Sequence, residues 1–340
     1  MIDTPSVSRR SLLAGGAAAT LALGAGGAEA ATSRPKSGAR SADLPAANIG
    51  AQLYSVSDQA RAIGFPKLFA ALSQIGYKYV EFAGWANKDN YSPKVIKRIL
   101  ADHGLKAIGN HGSMDAGSLD GALQVGQKYT GISVLTDIHG AHTDGWKQTA
   151  DELNAYGEKC VKAGLKGFYI HMHGPEYVRV ADDPTKHVID VLLANTDPRY
   201  VFWEMDIYWA YFFQGYLDAG GALADPLQWV LKNPKRFPLF HVKDGKQAVK
   251  QDVGGQHLQL ANNPLASTFP LQDGICDVGQ GDVPFKRFFH ELSKVSDLRN
   301  HYFLWERDTA SSHPHGSLCS ARASYEMIAR NRLVDPTTAW

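Results

Sequence analysis

The chain has 340 residues, with 35 Lys and Arg against 34 Asp and Glu and a formal net charge of +1. Beyond the first residues no Lys/Arg run stands out, which excludes the electrostatic footprint of a nucleic-acid binder or of a protein held on an anionic membrane. Hydrophobic residues make up 44% and charged residues 20%, an ordinary globular balance that supports a sizeable core.

The first 31 residues stand apart. "SRRSLLAGGAAATLALGAGGAEAA" pairs Arg9 with Arg10, continues as an Ala/Gly/Leu-rich run and reaches small residues around Ala28-Glu29-Ala30. The segment resembles a twin-arginine export signal cleaved near Ala30 or Ala31, which implies the twin-arginine export machinery as a partner and a periplasmic or otherwise exported location. Its apolar run is short and Gly-rich, so no permanent membrane span is expected. Residues 32–46, "TSRPKSGARSADLPA", read as a flexible linker. Cys160, Cys276 and Cys319 are too widely spaced for a disulfide framework or a zinc knuckle.

From residue 47 to 340 short apolar runs alternate with stretches of helical period. Strands are predicted near 49–54, 78–82, 106–109, 132–136, 167–173, 200–206, 237–242 and 301–306. Between them lie helical patterns such as Leu68, Phe69, Leu72 and Ile75, or Val95, Ile96, Ile99 and Leu100. Gly76, Gly104 and Gly164 sit where left-handed helix caps are expected. Eight strand–helix units in roughly 290 residues fit a single (β/α)8 barrel, the TIM-barrel fold class. A doubly wound open sheet is the alternative, disfavoured because no Gly-rich phosphate loop follows an early strand. Residues 245–283, rich in Gly, Gln, Asn and Asp, form a long irregular stretch after the seventh strand, a length usually reserved for covering a site.

Polar residues inside buried parallel strands need a reason, and here they gather at the C-terminal strand ends. Glu81 ends the second strand and His111 follows the third. His171, His173 and Glu176 close the fifth, Asp206 the sixth, His241 and Lys243 the seventh, Glu306 and Asp308 the eighth. His171 and His173, two apart on a strand, point the same way. In a barrel of this type that end carries the chemistry. So many charged and imidazole groups on one rim are costly to desolvate without a cation, and the oxygen/nitrogen mix suits one divalent ion: Mn, Mg, Co or Zn.

"IGAQLYSV" (49–56), "IGYKYVEFAG" (75–84), "YIHMHGPEY" (169–177), "WEMDIYW" (203–209), "FHVKD" (240–244), "VGQGDVPF" (278–285) and "LWERD" (304–308), in this order, resemble the sugar phosphate isomerase/epimerase family with its xylose-isomerase-like TIM barrel. That resemblance implies a divalent metal held by Asp206, His241 and Glu306. Glu176 is the provisional fourth ligand, with His171 or His173 as the substitute, because many relatives have Glu where this chain has a histidine. Glu204, on the same strand face as Asp206, reads as a paired polar residue rather than a ligand.

The implied activity is a metal-dependent isomerisation or epimerisation of a carbohydrate by proton transfer next to a carbonyl, with Glu306 or Glu176 as acid/base. Lys243 and His111 would orient hydroxyls; His171, His173, Glu81, Trp209 and Asp308 would line the substrate site. A lyase or hydratase of 3-keto-glycosides or other keto sugars is the alternative, and a non-catalytic exported sugar-binding barrel a further one. An apurinic-site nuclease on the same barrel fits poorly with a near-neutral chain.

Overall fold

The computed structural model describes residues 42–84, 91–217, 224–246 and 274–336. The predicted export signal, the linker as far as residue 41 and residues 247–273 of the predicted long loop lie outside the described residues. Leu44 is buried, and its amide donates to Asn331 Oδ1 at 2.7 Å, so the chain meets the barrel three residues before the predicted domain start.

Eight parallel strands form one sheet: β1 (Ile49–Gln52), β2 (Tyr79–Phe82), β3 (Lys106–Asn110), β4 (Tyr129–Ile132), β5 (Gly167–Met172), β6 (Val201–Asp206), β7 (Leu239–Val242) and β8 (Tyr302–Trp305). β1 pairs with both β2 and β8, and every other neighbour pair along the sheet is consecutive in sequence. A single bridge from His111 to Gly131 joins β3 to β4 and closes the circle. Closure sets aside the doubly wound alternative, in which the sheet stays open.

Helices cover the outside: α1 (Ser57–Ile75), α2 (Pro93–Asp102), α3 (Ala116–Val125), α4 (Thr143–Lys162), α5 (Val188–Asn195), α6 (Ile207–Leu217), α7 (Leu227–Lys232), α8 (Phe285–Val295) and α9 (Ser317–Ala329). The predicted apolar faces are the packed ones, with Leu68, Phe69 and Leu72 of α1 and Ile96, Ile99 and Leu100 of α2 buried. Gly76, Gly104 and Gly164 have φ of 127°, 66° and 110°, values that glycine adopts without strain from a Cβ.

Two apolar layers result. The larger lies between strands and helices. The smaller fills the barrel interior with Ile108, Tyr129, Tyr169, Phe202, Leu239 and Leu304. Because alternate strand residues face one way, the positions two and four further along four strands continue up the interior: His171 and His173 after Tyr169, Glu204 and Asp206 after Phe202, His241 and Lys243 after Leu239, Glu306 and Asp308 after Leu304. An apolar plug therefore carries an ionisable layer above it.

One strand departs from the predicted position. The β-branched run at 132–136 drew the fourth strand there, but pairing with β5 begins at Tyr129 and ends at Ile132. Gly131 explains the difference: a Cβ there would lie 2.6 Å from both the Tyr169 ring and the Tyr169 carbonyl oxygen. A residue that reads as a turn former is a strand residue because the Tyr169 ring needs its space.

Candidate metal and catalytic site

The strand ends bring most of the predicted site residues into one buried group. β6 sets Asp206 beside His241 of β7 in register, and β5 sets His171 opposite Glu204. The His241 ring uses both nitrogens on carboxylates, Nδ1 donating to Glu306 Oε2 at 2.7 Å and Nε2 to Glu81 Oε2 at 2.8 Å. Glu81 Oε1 accepts from the Tyr169 hydroxyl. Lys243 Nζ lies 2.8 Å from Glu306 Oε2, 3.0 Å from Asp206 Oδ2 and 3.1 Å from Asp308 Oδ2. Its ammonium also stands 5.2 Å from the centre of the Trp209 ring, so predicted ligands and predicted substrate contacts share one network. The Trp209 amide donates to Asp206 Oδ1 at 3.0 Å as α6 begins.

His111 reaches in from the end of β3, its Nε2 2.9 Å from Glu204 Oε2. His171 Nδ1 lies 3.2 Å from the same oxygen. His173 stacks on His171 with ring centres 5.0 Å apart, as the two-residue spacing predicts, but its buried Nδ1 has no hydrogen-bond partner among the described residues.

Glu176 is placed differently. The chain leaves the strand line after Met172, and Glu176 sits on a single turn, Pro175–Tyr177, where its Oε2 accepts from the Gly174 amide at 3.1 Å. It is fully buried, and its Oε1 has no partner among the described residues. The group whose ligand atoms all lie within 4.8 Å of one another is His171, Asp206, His241 and Glu306. His171, still in line on β5 and named from the sequence as the substitute for Glu176, is the fourth member of that group of candidate donors, and Glu176 is not in it.

Electrostatics divide these groups. Burial works against the charge of His241, but the Glu204 and Glu306 carboxylates outweigh it and hold the imidazolium well above its usual range. Burial likewise opposes charge on Glu306 and Glu204; Lys243 and then His241 hold Glu306 well below the carboxylate range, and His241 with the His111 and His171 hydrogen bonds does so for Glu204. Lys243 is stabilised as a cation against its burial by Asp206, Asp308 and Glu306. Burial pushes Asp206 up to about 6, partly offset by Lys243 and His241. It pushes Glu176 up to about 7, and with Lys243 it lowers His173 to about 4.

Two imidazoles and two carboxylates in one buried group form a donor set that suits a divalent ion with mixed nitrogen and oxygen preference. The dense pairing of carboxylates with Lys243 and His241 is what such a group needs to stay folded without one, since an unpaired buried charge costs several kcal/mol, on the order of 3–5 when one partner is removed. Among the described residues no helix is long and apolar enough to cross a membrane.

Two partners, Gln52 and Tyr169, escaped the sequence reading, and the extent of Glu204's pairing was not foreseen. Glu204 is paired, as its place beside Asp206 suggested, and is the hub of the His111, His171 and His241 contacts. Gln52 donates to Glu81 Oε2 at 3.2 Å and lies 3.3 Å from His111 Nδ1. Tyr169 tethers Glu81 from below. Gln52 and Glu204 carried the signal used for the others, a polar residue late in a buried strand; Tyr169 had none, because a tyrosine in a core strand is ordinary.

No protein-family model matches the chain. A segment of 176 residues, 50% of the chain, is 27% identical to an inosose dehydratase from Lactiplantibacillus plantarum; it spans 49% of that protein, about half its length. Among solved structures, a sugar phosphate isomerase/epimerase from Parabacteroides distasonis superposes with a TM-score of 0.54 at 20% identity, over 83% of this chain and 93% of that one. The IOLI protein with a bound zinc atom gives 0.54 at 12% identity, over 84% and 96%. At these identities the likeness is one of fold: the chain has the barrel of the sugar phosphate isomerase/epimerase and xylose-isomerase-like proteins.

Proposed function

We propose that this protein is a divalent-metal-dependent enzyme that moves a proton on the carbon next to a carbonyl of a carbohydrate, an isomerase or epimerase. The observation that carries the reading is the buried group of His171, Asp206, His241 and Glu306 at the C-terminal mouth of the barrel, the face where barrel chemistry resides. Asp206, His241 and Glu306 would hold the ion, with His171 the remaining donor in reach. Bound there, the ion supplies Lewis acidity toward substrate oxygens.

The chain's own residues divide the remaining work. Glu306 is clamped by His241 and Lys243 and stays ionised, which makes it a good ligand and a poor base. Glu176, near 7 through burial and with a free Oε1, has the proton affinity a general acid/base needs at neutral pH. It takes the proton from the carbon beside the carbonyl; return of that proton by Glu176 to the neighbouring carbon isomerises, whereas epimerisation would need a second acid to protonate the opposite face. Lys243 and Asp308 orient hydroxyls, and Trp209 offers an apolar wall.

Elimination is the second reading, favoured by the likeness to an inosose dehydratase: the same proton is removed and a β-hydroxyl or β-alkoxyl departs, as in a lyase or hydratase of 3-keto-glycosides. NMR in D₂O on a panel of keto sugars and 3-keto-glycosides separates the two. Epimerisation exchanges one carbon-bound proton and keeps the formula, whereas elimination yields an unsaturated product. Glu176→Gln should lower either rate by about 10²–10⁴-fold with metal retained. Unimpaired turnover would remove Glu176 from the chemistry, and no reaction across the panel by the metal-loaded protein would favour a sugar-binding barrel.

We further propose export, on the strength of the paired Arg9 and Arg10 and the apolar run after them. Replacing both arginines with lysine should leave the protein in the cytoplasmic fraction. Undiminished appearance in the periplasm would argue against the twin-arginine route.

A further inference from the structure

We propose that the barrel holds a second divalent cation, one layer below the first, bound by His111, His171 and Glu204. The proposal rests on the reading that the first ion lies at Asp206, His241 and Glu306; it gives a task to His111 and Glu204 and moves His171, there only a donor in reach, to the lower ion.

The geometry is specific. Glu204 Oε2 lies 2.9 Å from His111 Nε2 and 3.2 Å from His171 Nδ1, and these atoms belong to a group within 4.8 Å of one another that also includes His241. Ligands about 2.0–2.1 Å from a tetrahedral zinc stand roughly 3.3 Å apart, so both imidazole–carboxylate spacings are close to those of donors around one ion. Glu204 is fully buried, and its second oxygen, Oε1, has no hydrogen-bond partner among the described residues. A buried carboxylate oxygen without a donor is costly, and a cation at this position removes the cost. Beneath the three donors lies the apolar interior layer with Tyr169 and Phe202, which closes the position from below.

The two ligand groups overlap at His171 and His241. One ring nitrogen serves one ion, so two ions divide the residues cleanly: His241 stays with Asp206 and Glu306 above, and His171 joins His111 and Glu204 below. Charge supports the division. Among the described residues of this network, Glu81 and Glu204 meet His111, and Asp206, Glu306 and Asp308 meet its ammonium, Lys243. With all five carboxylates ionised, one divalent ion leaves this group two charges short of neutrality unless histidines or carboxyls carry protons; a second closes the deficit with every imidazole free to ligate. Two imidazoles and one carboxylate favour a late first-row ion, Zn²⁺ or Co²⁺.

The test is metal content of the full chain, stripped by chelator, reloaded with Zn²⁺ or Co²⁺ and freed of loose ions by gel filtration. Wild type should carry two ions, and His111→Ala and Glu204→Gln one each. Asp206→Asn should also carry one, the lower one. Crystals of the zinc-loaded wild type should show an anomalous peak between His111, His171 and Glu204, a measurement that does not depend on any variant folding. One ion in wild type, kept by His111→Ala and Glu204→Gln and lost by Asp206→Asn, overturns the second site and leaves the first. One ion lost by all three variants also overturns it, in favour of a single shared position. No ion in any of them removes the first site as well.

Discussion

Glu176 and Glu306 are the same side chain in opposite surroundings. Glu306 is held ionised by Lys243 and His241, while Glu176, buried and accepting only from backbone amides, is pushed up to about 7. For an acid whose folded value lies above its unfolded one, the protonated form is what folding favours. The stability it brings is complete below the usual value of 4.5 and is lost as pH rises toward about 7. At about 1.4 kcal/mol per pH unit the loss is roughly 3 kcal/mol. Metal-free Glu176→Gln should therefore gain on the wild type across that window and hold its advantage above it, read from urea midpoints at pH 4.5, 6 and 8. His173, lowered to about 4, acts in the other direction as pH falls from its usual 6.5, but it is common to both proteins and cancels in the difference. A constant difference at all three pH values would show that Glu176 does not carry this proton in the fold.

At the scale of elements, β3, β4 and β5 fit together around one ring. A Cβ on Gly109 would meet the Tyr169 ring at 2.8 Å, whereas one on Gly131 would meet both the ring and the Tyr169 carbonyl oxygen at 2.6 Å. A ring can tilt, but a backbone carbonyl held in the β4–β5 ladder cannot. Gly131→Ala should thus cost more than Gly109→Ala, with the overpacking range of about 1–3 kcal/mol as the scale; equal losses in denaturant midpoint would contradict the packing argument. The same strands mark where sequence reading stops. Phe202, Glu204 and Asp206 announce a strand that runs from plug to site, because apolar and ionisable residues alternate with a period of two. Tyr129 to Ile132 announces nothing, since its glycine is chosen by a ring 38 positions further along the chain and not by its neighbours. Glu176 fails for a related reason: a Gly-Pro turn changes direction by an amount that spacing along the chain does not encode.

The whole molecule is a closed barrel whose interior changes character along its axis, apolar below and ionisable above. The gathering of charge was legible because eight strand ends in a barrel converge on one mouth, wherever they lie in sequence. The pairing within it was not, because which carboxylate meets which imidazole depends on register and on interior depth. That depth has a thermodynamic consequence. Carboxylates at 0% exposure, such as Glu81, Glu204 and Asp206, have given up their hydration, and the protons and the ammonium that now balance them do so at the cost of holding His241 and Lys243 charged in the interior. An ion bound by the folded chain adds RT ln(1 + [L]/Kd), about 4 kcal/mol at a thousandfold excess over Kd, and relieves the need for those buried protons. Chelator-treated protein should therefore melt well below the same protein reloaded with Zn²⁺, Co²⁺ or Mn²⁺, and Asp206→Asn should narrow the gap. Because the groups are buried, raising the salt should leave the gap nearly unchanged, unlike a contribution from surface ion pairs. Coincident melts with and without the ions would mean that the ionisable layer is balanced by its own protons and that no metal belongs to the fold.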